Sequence, residues 1–482
     1  MKKIVKTVAM IIALQLSLSS VSCTKKSNKI KLYFDGGGGS GNYNSTLSMK
    51  ESAANPYPYN TLEKLAKEWS DNNDEFEVVI NRNSLNGMRS AITGLLDAGT
   101  APDMLYQAGG VINDDLGKGY YVDLTPYFDT PNDYAEGSPA WKELYNIQEL
   151  EGTKASDGKI YYACLDKVTV GLMYNTEILA AAGVTEIPQT FSEFKTCLQT
   201  LKQAKETGKI NADVYLHQGF WLEIYLNTSV YASRTKEFDL DGNGMVSSYE
   251  LAKAQKEGKW SFDDPEFADF LDLCYTKASY YPENYLAYDT ASKFAKGQLA
   301  ITDGLGNNMR IAYRGLKDKL KVSGYPALDE DASKYGGYTV VRGSAGLSTA
   351  YWVTNTAVNK GQKAVDACVD FLKFLTAPQN NSRMVNDLGF ALPLNVADNE
   401  TAIFDDLSAQ YERDMQNPDS VMWSAVNLFN SFGQEFYDTY EKGMGEFYGK
   451  NHNGDKAYIV NLLNAILPDT INSLSKKYNW GL

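Results

Sequence analysis

The alternation of β-rich runs with amphipathic helical runs constrains the fold of this chain more than any other feature. Runs of the two kinds follow one another early in the chain, at residues 30–34, 62–69, 76–80, 87–96 and 101–106. Such alternation is typical of an α/β lobe in which helices cover a largely parallel sheet. The pattern returns over residues 168–201 and 299–375. From about Asn399 the chain is mostly helical, and its last predicted helix, residues 457–477, is interrupted by Pro468.

Length and charge narrow the possibilities further. The chain has 482 residues, more than one hydrophobic core usually serves, so we expect two large lobes. Its formal net charge is −14, and removal of three leader lysines would bring the remainder to −17. An acidic surface repels phosphate backbones, which disfavours a nucleic-acid partner. The 33 Tyr, 19 Phe and 7 Trp supply many flat side chains that stack on ligands and offer a polar edge.

The first residues have the pattern of a secretory signal that ends at a cysteine. Lys2, Lys3 and Lys6 form a positive head, residues 8–18 form an apolar run, and small residues lead into Cys23. The apolar run is too short for a comfortable membrane span. We therefore predict a signal peptide over residues 1–22, a lipidated Cys23 and a polar tether over residues 23–29, as in a bacterial lipoprotein. Its acyl chains would anchor the protein outside the cytoplasm, at the cell surface or in a periplasm. The alternative is an ordinary secretory signal with a cysteine nearby.

The other cysteines are isolated, and none belongs to a CxxC pair. They are Cys164, Cys197, Cys274 and Cys368. Four cysteines permit three complete disulfide pairings, among which the sequence cannot choose. We favour buried free thiols.

Residues 239–250 match a calcium-binding EF-hand loop at every position. Oxygen ligands would come from Asp239, Asp241, Asn243, the backbone carbonyl of Met245, Ser247 through a water molecule, and Glu250. Hard oxygen ligands at this spacing suit Ca²⁺. A sensor generally uses paired loops, and no second loop occurs, so we predict a structural calcium ion. The alternative is a polar turn ahead of a helix.

Short motifs along the chain resemble those of extracellular solute-binding proteins, family 1, of sugar ABC importers. The most specific are residues 158–162, 171–175, 182–183 and 188–194 (GKIYY, GLMYN, AG and PQTFSEF). Other segments also resemble the family in order and spacing. They lie at residues 102–103, 124–126, 294–300, 364–378 and 389–393. The resemblance covers essentially the whole chain after Cys23.

The resemblance implies an α/β fold of the type II-like periplasmic-binding-protein class, with two lobes that close on a ligand. Each lobe would hold a mixed, mostly parallel sheet flanked by helices. The first lobe would comprise residues 30–163 and 299–346, and the second would comprise residues 164–298 and 347–482 with a helical tail. The chain would cross between lobes near residues 163–166, 294–302 and 346–353.

The resemblance also implies a function. A monomeric, non-catalytic binder would capture a sugar or oligosaccharide and deliver it to an ABC permease in the membrane. Two other classes stay open: a secreted carbohydrate hydrolase, which needs a pair of carboxylates, and a calcium-dependent surface adhesion protein. The only histidines are His217 and His452, which leaves little room for a His-ligated zinc site or a Ser-His-Asp triad.

A sugar site needs flat aromatic faces together with carboxylates or amides for the hydroxyl groups. The residues that the resemblance places near the cleft are Asp35, Asn42, Tyr43, Tyr106, Gln107, Asp166, Lys167, Trp221, Glu223, Asp303, Asn307, Tyr351, Trp352 and Trp423. Many relatives carry a tryptophan where this chain has Leu305 and Gly306. Each tryptophan has the alternative of a core aromatic, and each aspartate that of a solvated loop carboxylate.

Overall fold

The computed structural model of the protein describes residues 28–36, 60–81, 85 and 87–482. The predicted signal peptide, Cys23, most of the tether and the ligand candidates Asn42 and Tyr43 lie outside the described residues. Among the helices that are described, none combines the length and the apolar character needed to cross a membrane.

The strands of the described chain all join one sheet. They are β1 (Ile30–Asp35), β2 (Phe76–Asn81), β3 (Met104–Tyr106), β4 (Tyr162–Asn175), β5 (Asp213–Tyr215), β6 (Leu299–Leu305), β7 (Leu320–Ser323), β8 (Ser344–Val353) and β9 (Ala391–Leu392). Their order is β2-β1-β3-β8-β4-β6-β5, and β7 and β9 also pair with β4.

Helices cover both parts of this sheet. The α-helices are α1 (Thr61–Asp71), α2 (Arg89–Asp97), α3 (Ile112–Asp115), α4 (Thr125–Phe128), α5 (Ile147–Glu151), α6 (Thr176–Ala182), α7 (Phe191–Glu206), α8 (Trp221–Tyr231), α9 (Thr235–Phe238), α10 (Ser248–Lys256), α11 (Pro265–Ala278), α12 (Thr290–Ala295), α13 (Gly306–Leu316), α14 (Asn355–Lys360), α15 (Gln362–Thr376), α16 (Pro378–Leu388), α17 (Asp405–Met415), α18 (Gln434–Tyr448) and α19 (Lys456–Tyr478). Short 3₁₀ turns cover Gly109–Val111, Trp141–Leu144, Ala232–Arg234, Tyr285–Ala287, Lys317–Lys319, Val396–Asp398, Ala402–Phe404 and Asn430–Phe432.

Local sequence explains why the predicted helices form. In α1, the buried residues Leu62, Leu65, Ala66 and Trp69 recur at helical spacing and make one apolar face. Helix α7 begins at a capping box, in which the Thr190 side chain accepts from the Glu193 amide and the Glu193 carboxylate accepts from the Thr190 amide. These reciprocal bonds satisfy two amides that have no partner within the helix.

The long strand β4 belongs to two half-sheets at once. Its first half pairs with β8, where Asp166 lies opposite Ser348, and its second half pairs with β6, where Val170 lies opposite Leu305. Two large hydrophobic cores lie on either side of this transition. The first contains Leu165 and the second contains Val170, so the chain passes from one lobe to the other between these residues.

Assignment of the described residues by core and strand pairing gives two lobes. The first holds β1–β3, β8, β9 and the start of β4, and the second holds β5–β7 and the rest of β4. The chain crosses three times, as expected. Two crossings, at residues 166–169 and 344–347, lie close to expected places, whereas the crossing at residues 392–396 was not expected.

Part of the predicted lobe assignment is therefore wrong. Residues 299–305 form β6, which pairs with β4 and β5 inside the second lobe, so the chain does not return near residues 294–302. Conversely, most of β8 pairs with β3 and the first half of β4 in the first lobe, although residues 347–353 were assigned to the second. The lobe to which a strand belongs depends on the strands with which it pairs. The sequence of a single strand does not reveal these partners.

Three further expectations can be compared with the structure. The fold is α/β as predicted, but the sheet has three parallel and five antiparallel strand pairs, so it is mixed and not mostly parallel. Helix α19 continues through Pro468, since apolar residues on both sides of the proline, such as Leu463 and Ile471, pack into the second core. The four cysteines of the described chain are buried free thiols, as favoured.

Candidate functional site

The carboxyl ends of the parallel strands in both lobes face the same segment of β4. In the first lobe, β1 and β3 run parallel and end at Asp35 and Tyr106. In the second lobe, β5 and β6 run parallel, and β6 ends at Leu305, opposite Val170. Ligands of open α/β sheets bind beyond the carboxyl ends of the strands. The candidate site is therefore the cleft between the lobes, beside residues 166–169.

The first-lobe wall brings together four of the predicted residues. Tyr351 donates a hydrogen bond of 2.8 Å to the backbone carbonyl of Asp35, and its ring lies 6.2 Å from that of Tyr106. Burial, together with the carboxylates of Asp166 and Asp35, raises the pKa of Tyr106 to about 12. Tyr106 is only partly buried and keeps a neutral hydroxyl at physiological pH, so it can both donate to and accept from a ligand hydroxyl.

The second-lobe wall is organised around Gln218, which the sequence did not single out. The backbone amide of Gln218 donates to the Asp303 carboxylate over 2.8 Å. The Asn308 side chain donates to the side-chain oxygen of Gln218 over 3.0 Å. Asn307, a predicted ligand residue, lies next to Asn308 in the first turn of α13. The loop after β5 and the end of β6 are thus fastened to each other at the cleft.

Two tryptophans stand beside this wall. Trp221 begins α8 and is partly exposed, whereas Trp423 is buried in the second-lobe core. Their ring centroids are 6.5 Å apart at 38°. Trp221 is therefore the more accessible of the two, and its ring is the one that can offer a stacking face.

Glu223 has a different place from the one predicted. It is fully buried and forms an ion pair with the buried Lys277 over 2.6 Å. Tyr448 donates to the same oxygen over 3.0 Å, and His217 Nδ1 lies 3.3 Å from it. Burial would raise the pKa of Glu223, but Lys277 and His217 outweigh it and lower the pKa to about 2. The Glu223 carboxylate is thus paired inside the lobe, and its contact with a ligand stays a prediction.

The side chains of Gln107 and Trp352 both form hydrogen bonds within the first lobe. The Gln107 side chain accepts from Arg89 over 2.9 Å and donates to Tyr121 over 2.6 Å. Trp352 is fully buried, lies against Tyr121 and donates to the Gln107 carbonyl over 3.1 Å. Tyr351 is also fully buried, so its contribution is the bond to Asp35 and not a stacking face. The side chains of Gln107 and Trp352 are thus engaged within the lobe, and their contact with a ligand stays a prediction.

Lys167 follows Asp166 in β4 and therefore points to the opposite face of the strand. It forms a buried ion pair with Glu149 of the first lobe. Tyr411 of the second lobe donates to the same carboxylate over 2.7 Å. This polar cluster lies behind the crossing strand, and a contact between Lys167 and a ligand stays a prediction.

The calcium-type loop has a carboxylate cluster at the predicted residues. Carboxylate oxygens of Asp239, Asp241 and Glu250 all lie within 4.8 Å of one another. Burial, together with repulsion from Glu250 and Asp239, raises the pKa of Asp241. Gathered carboxylates of this kind fit a divalent cation, since its charge would relieve their repulsion.

The loop backbone also has the expected shape. The Asp239 carboxylate accepts from the Gly242 and Gly244 amides over 2.8 Å each, and Gly244 has a φ of +86°, as a sharp turn at this position requires. Glu250 also caps helix α10 with Ser247. Met245 extends toward the first lobe, where a side chain at Gly152 would lie 3.3 Å from it.

Two signals in the sequence would have found Gln218 and Lys277, which were missed. Gln218 follows a strand just as Tyr106 does, so the rule used for the first lobe applies equally to it. Lys277 recurs at helical spacing with Phe270 and Cys274 on the apolar face of α11, where a lysine indicates a buried acidic partner. Glu149 and Tyr411 are far apart in sequence, and no local pattern links them.

Comparison with known proteins now adds to the geometry. Residues 64–417 match the family model described as bacterial extracellular solute-binding protein. Among curated proteins, none matches the chain significantly by sequence.

Several solved structures share the fold. The apo form of RafE from Streptococcus pneumoniae has a TM-score of 0.63 at 14% identity, covering 93% of this chain and 100% of RafE. The cyclic alpha-maltosyl-1,6-maltose binding protein from Arthrobacter globiformis has a TM-score of 0.60 at 14% identity, with 92% and 100% covered. MalE from Listeria monocytogenes, in complex with maltose, has a TM-score of 0.59 at 15% identity, with 93% and 98% covered. At these identities the likeness shows a shared fold.

The buried acid of the second-lobe wall generates a prediction about pH. Burial raises the pKa of Asp303 to about 6, above its usual 3.8, although His217 and Lys277 act against this shift and Glu223 adds to it. Between pH 4 and 6 the folded state then binds more protons than the unfolded state, so Asp303 destabilises the fold increasingly as the pH rises. Asp303→Asn removes this cost and keeps the acceptor for Gln218.

We expect the stability gained by Asp303→Asn to grow from pH 4 to pH 7, toward about 3 kcal/mol. Urea unfolding at both pH values measures it against the unsubstituted protein. An equal difference at the two pH values would contradict the assigned protonation.

Proposed function

Because this chain belongs to the bacterial extracellular solute-binding proteins, we propose that it captures a sugar or short oligosaccharide between its lobes and delivers it to an ABC importer. The observation that carries the proposal is the convergence of the carboxyl ends of both half-sheets on residues 166–169. Carboxylates and a neutral tyrosine on one wall suit sugar hydroxyls, and Trp221 on the other suits a sugar face.

The fold neighbours support a saccharide as the solute. One structure holds RafE in complex with raffinose, and another holds MalE in complex with maltose. Others are a chitin oligosaccharide binding protein and a protein studied for xylan utilization.

The family is one of binding proteins, and we propose that this member is a non-catalytic monomer. A glycoside hydrolase needs an acid and a base on opposite sides of the scissile bond. The buried carboxylates of the second lobe serve other purposes here, since Glu223 pairs with Lys277 and Asp303 holds the Gln218 amide. The alternative of a surface adhesion protein has only the calcium-type loop in its favour.

The family is extracellular, and we propose that this chain is held at the membrane through a lipidated Cys23. Support comes from the positive head, the apolar run and the small residues that precede this cysteine. We also propose that the loop of residues 239–250 binds a structural calcium ion through Asp239, Asp241, Asn243, Met245, Ser247 and Glu250. The three clustered carboxylates support it.

A panel of saccharides tests the proposed solute. We expect at least one of raffinose, maltose, chitin oligosaccharides and xylo-oligosaccharides to raise the melting temperature of the purified protein, because a ligand that binds only the folded state stabilises it. No new reducing ends should appear during incubation with the same sugars. If no sugar of the panel raises the melting temperature, the saccharide proposal fails.

With the sugar that gives the largest shift, Trp221→Ala should weaken binding at least about tenfold, which corresponds to about 1.4 kcal/mol. Titration calorimetry measures the affinity. Tyr313→Ala is the matched control, because Tyr313 is an exposed aromatic residue of the same lobe. Unchanged affinity in Trp221→Ala would remove this tryptophan from the site.

Calcium should stabilise the folded protein, by about 2.7 kcal/mol when the ion is present at a hundred times its dissociation constant. Glu250→Gln should abolish most of this effect while keeping the helix cap, since glutamine also completes a capping box. Glu257→Gln, which lies outside the loop at the end of α10, is the control. Calorimetric melting with and without Ca²⁺ decides, and an equal calcium effect in Glu250→Gln excludes the assigned site.

Cys23→Ser should move the protein from the membrane fraction to the soluble fraction, because the lipid chains would have no attachment point. Fractionation of cells that express the two forms measures this. If both forms distribute alike, Cys23 is not the anchor.

A further inference from the structure

The end of the last helix reaches from the second lobe to the first. Lys477 and Tyr478 close α19, and both donate to the same carboxylate oxygen of Asp114 over 2.6 Å. Asp114 belongs to α3, in the segment that follows the carboxyl end of β3. Helix α19 packs through Leu463 and Ile471 into the second-lobe core. The contact therefore joins the two lobes away from the crossing strands.

The residues after α19 hold its last turn in place. After α19, Asn479 adopts a φ of +54°, which turns the chain back on the helix. The Trp480 amide donates to the Ser475 carbonyl over 2.9 Å, and the Leu482 amide donates to the Ser475 hydroxyl over 3.0 Å. The Trp480 ring lies 5.9 Å from Tyr249 of α10. These contacts fix the last turn of α19 against its own lobe.

The charges at the contact are complementary. Partial burial acts to raise the pKa of Asp114, but hydrogen bonds from Lys477 and Tyr478 and the nearby positive charges outweigh it and lower the pKa. The carboxylate is consequently ionised at physiological pH and attracts Lys477. Both partners are about half exposed, so the attraction is modest and is screened by salt.

We propose that Asp114, Lys477 and Tyr478 form a clasp that favours the closed arrangement of the lobes. Rotation of one lobe about the crossing strands separates Asp114 from the end of α19, because the two sides belong to different lobes. Each bond is thus made in the closed state and lost in the open state, which is the differential interaction that shifts such an equilibrium. The proposal rests on the two-lobe architecture of the proposed function, and it does not depend on which solute binds.

Small-angle scattering of the ligand-free protein tests the clasp through Asp114→Asn and the double variant Lys477→Met, Tyr478→Phe. Lys476→Met is the matched control, because Lys476 is the neighbouring exposed lysine of the same helical turn. We expect the ratio of closed to open molecules to fall about fivefold in Asp114→Asn and in the double variant, with a larger radius of gyration. The control should scatter like the unsubstituted protein.

Salt gives a second, independent measurement. High salt should enlarge the unsubstituted protein toward Asp114→Asn and leave that variant nearly unchanged, because the screened attraction is already absent. Superimposable profiles of the unsubstituted protein and both clasp variants at low salt would overturn the proposal. Since no sugar is added, this result is separate from the outcome of the saccharide panel.

Discussion

The pairing of β4 with both half-sheets is the interaction on which the rest of the structure depends. A single strand of 14 residues supplies hydrogen bonds to β8 in one lobe and to β6 in the other, with the transition between Asp166 and Val170. Because the register on both sides is fixed, the carboxyl ends of the parallel strands in each lobe must arrive at the same short segment. The cleft and its walls are consequences of this one strand, and the alternation of side chains along it sends Asp166 and Lys167 to opposite faces.

Buried ion pairs support the cleft from within each lobe. The Glu149–Lys167 pair lies behind the crossing strand, and the Glu223–Lys277 pair lies beneath the loop that carries Gln218. Burial of such pairs contributes little net stability compared with well-packed apolar side chains, whereas loss of one partner is strongly destabilising. Here the two pairs fix the positions of the elements that they join. Glu223 is two residues from Trp221 and is contacted by His217, so one charge ties together both ends of the loop at the second wall.

The sequence predicted what depends on local pattern and missed what depends on pairing at long range. Helix α1 and the sharp turn at Gly244 of the calcium-type loop follow from residue spacing within a few positions, and the structure has both where they were expected. The predicted lobe of β6 was wrong because the sequence of an apolar strand does not show which strand pairs with it. The ion pair of Glu223 was missed for the same reason, since its partner Lys277 lies on another helix. The structure brings Asp35 and Tyr106 together because each ends one of two neighbouring parallel strands, and their contact with a ligand stays a prediction.

The two walls of the cleft offer different chemistry, and this difference bears on the order of events when a sugar binds as we propose. Trp221 and Trp423 belong to the second lobe, whereas Asp35, Tyr106 and Asp166 belong to the first lobe and the crossing strand. Stacking on an aromatic face tolerates variation in the sugar, but hydrogen bonds to carboxylates require particular hydroxyl positions. The second-lobe wall also offers polar groups around Gln218, so a sugar that rests on that lobe alone would be selected by only part of the site. Only closure brings its hydroxyls to the first lobe, so discrimination among sugars depends on the closed state, in which both walls act together.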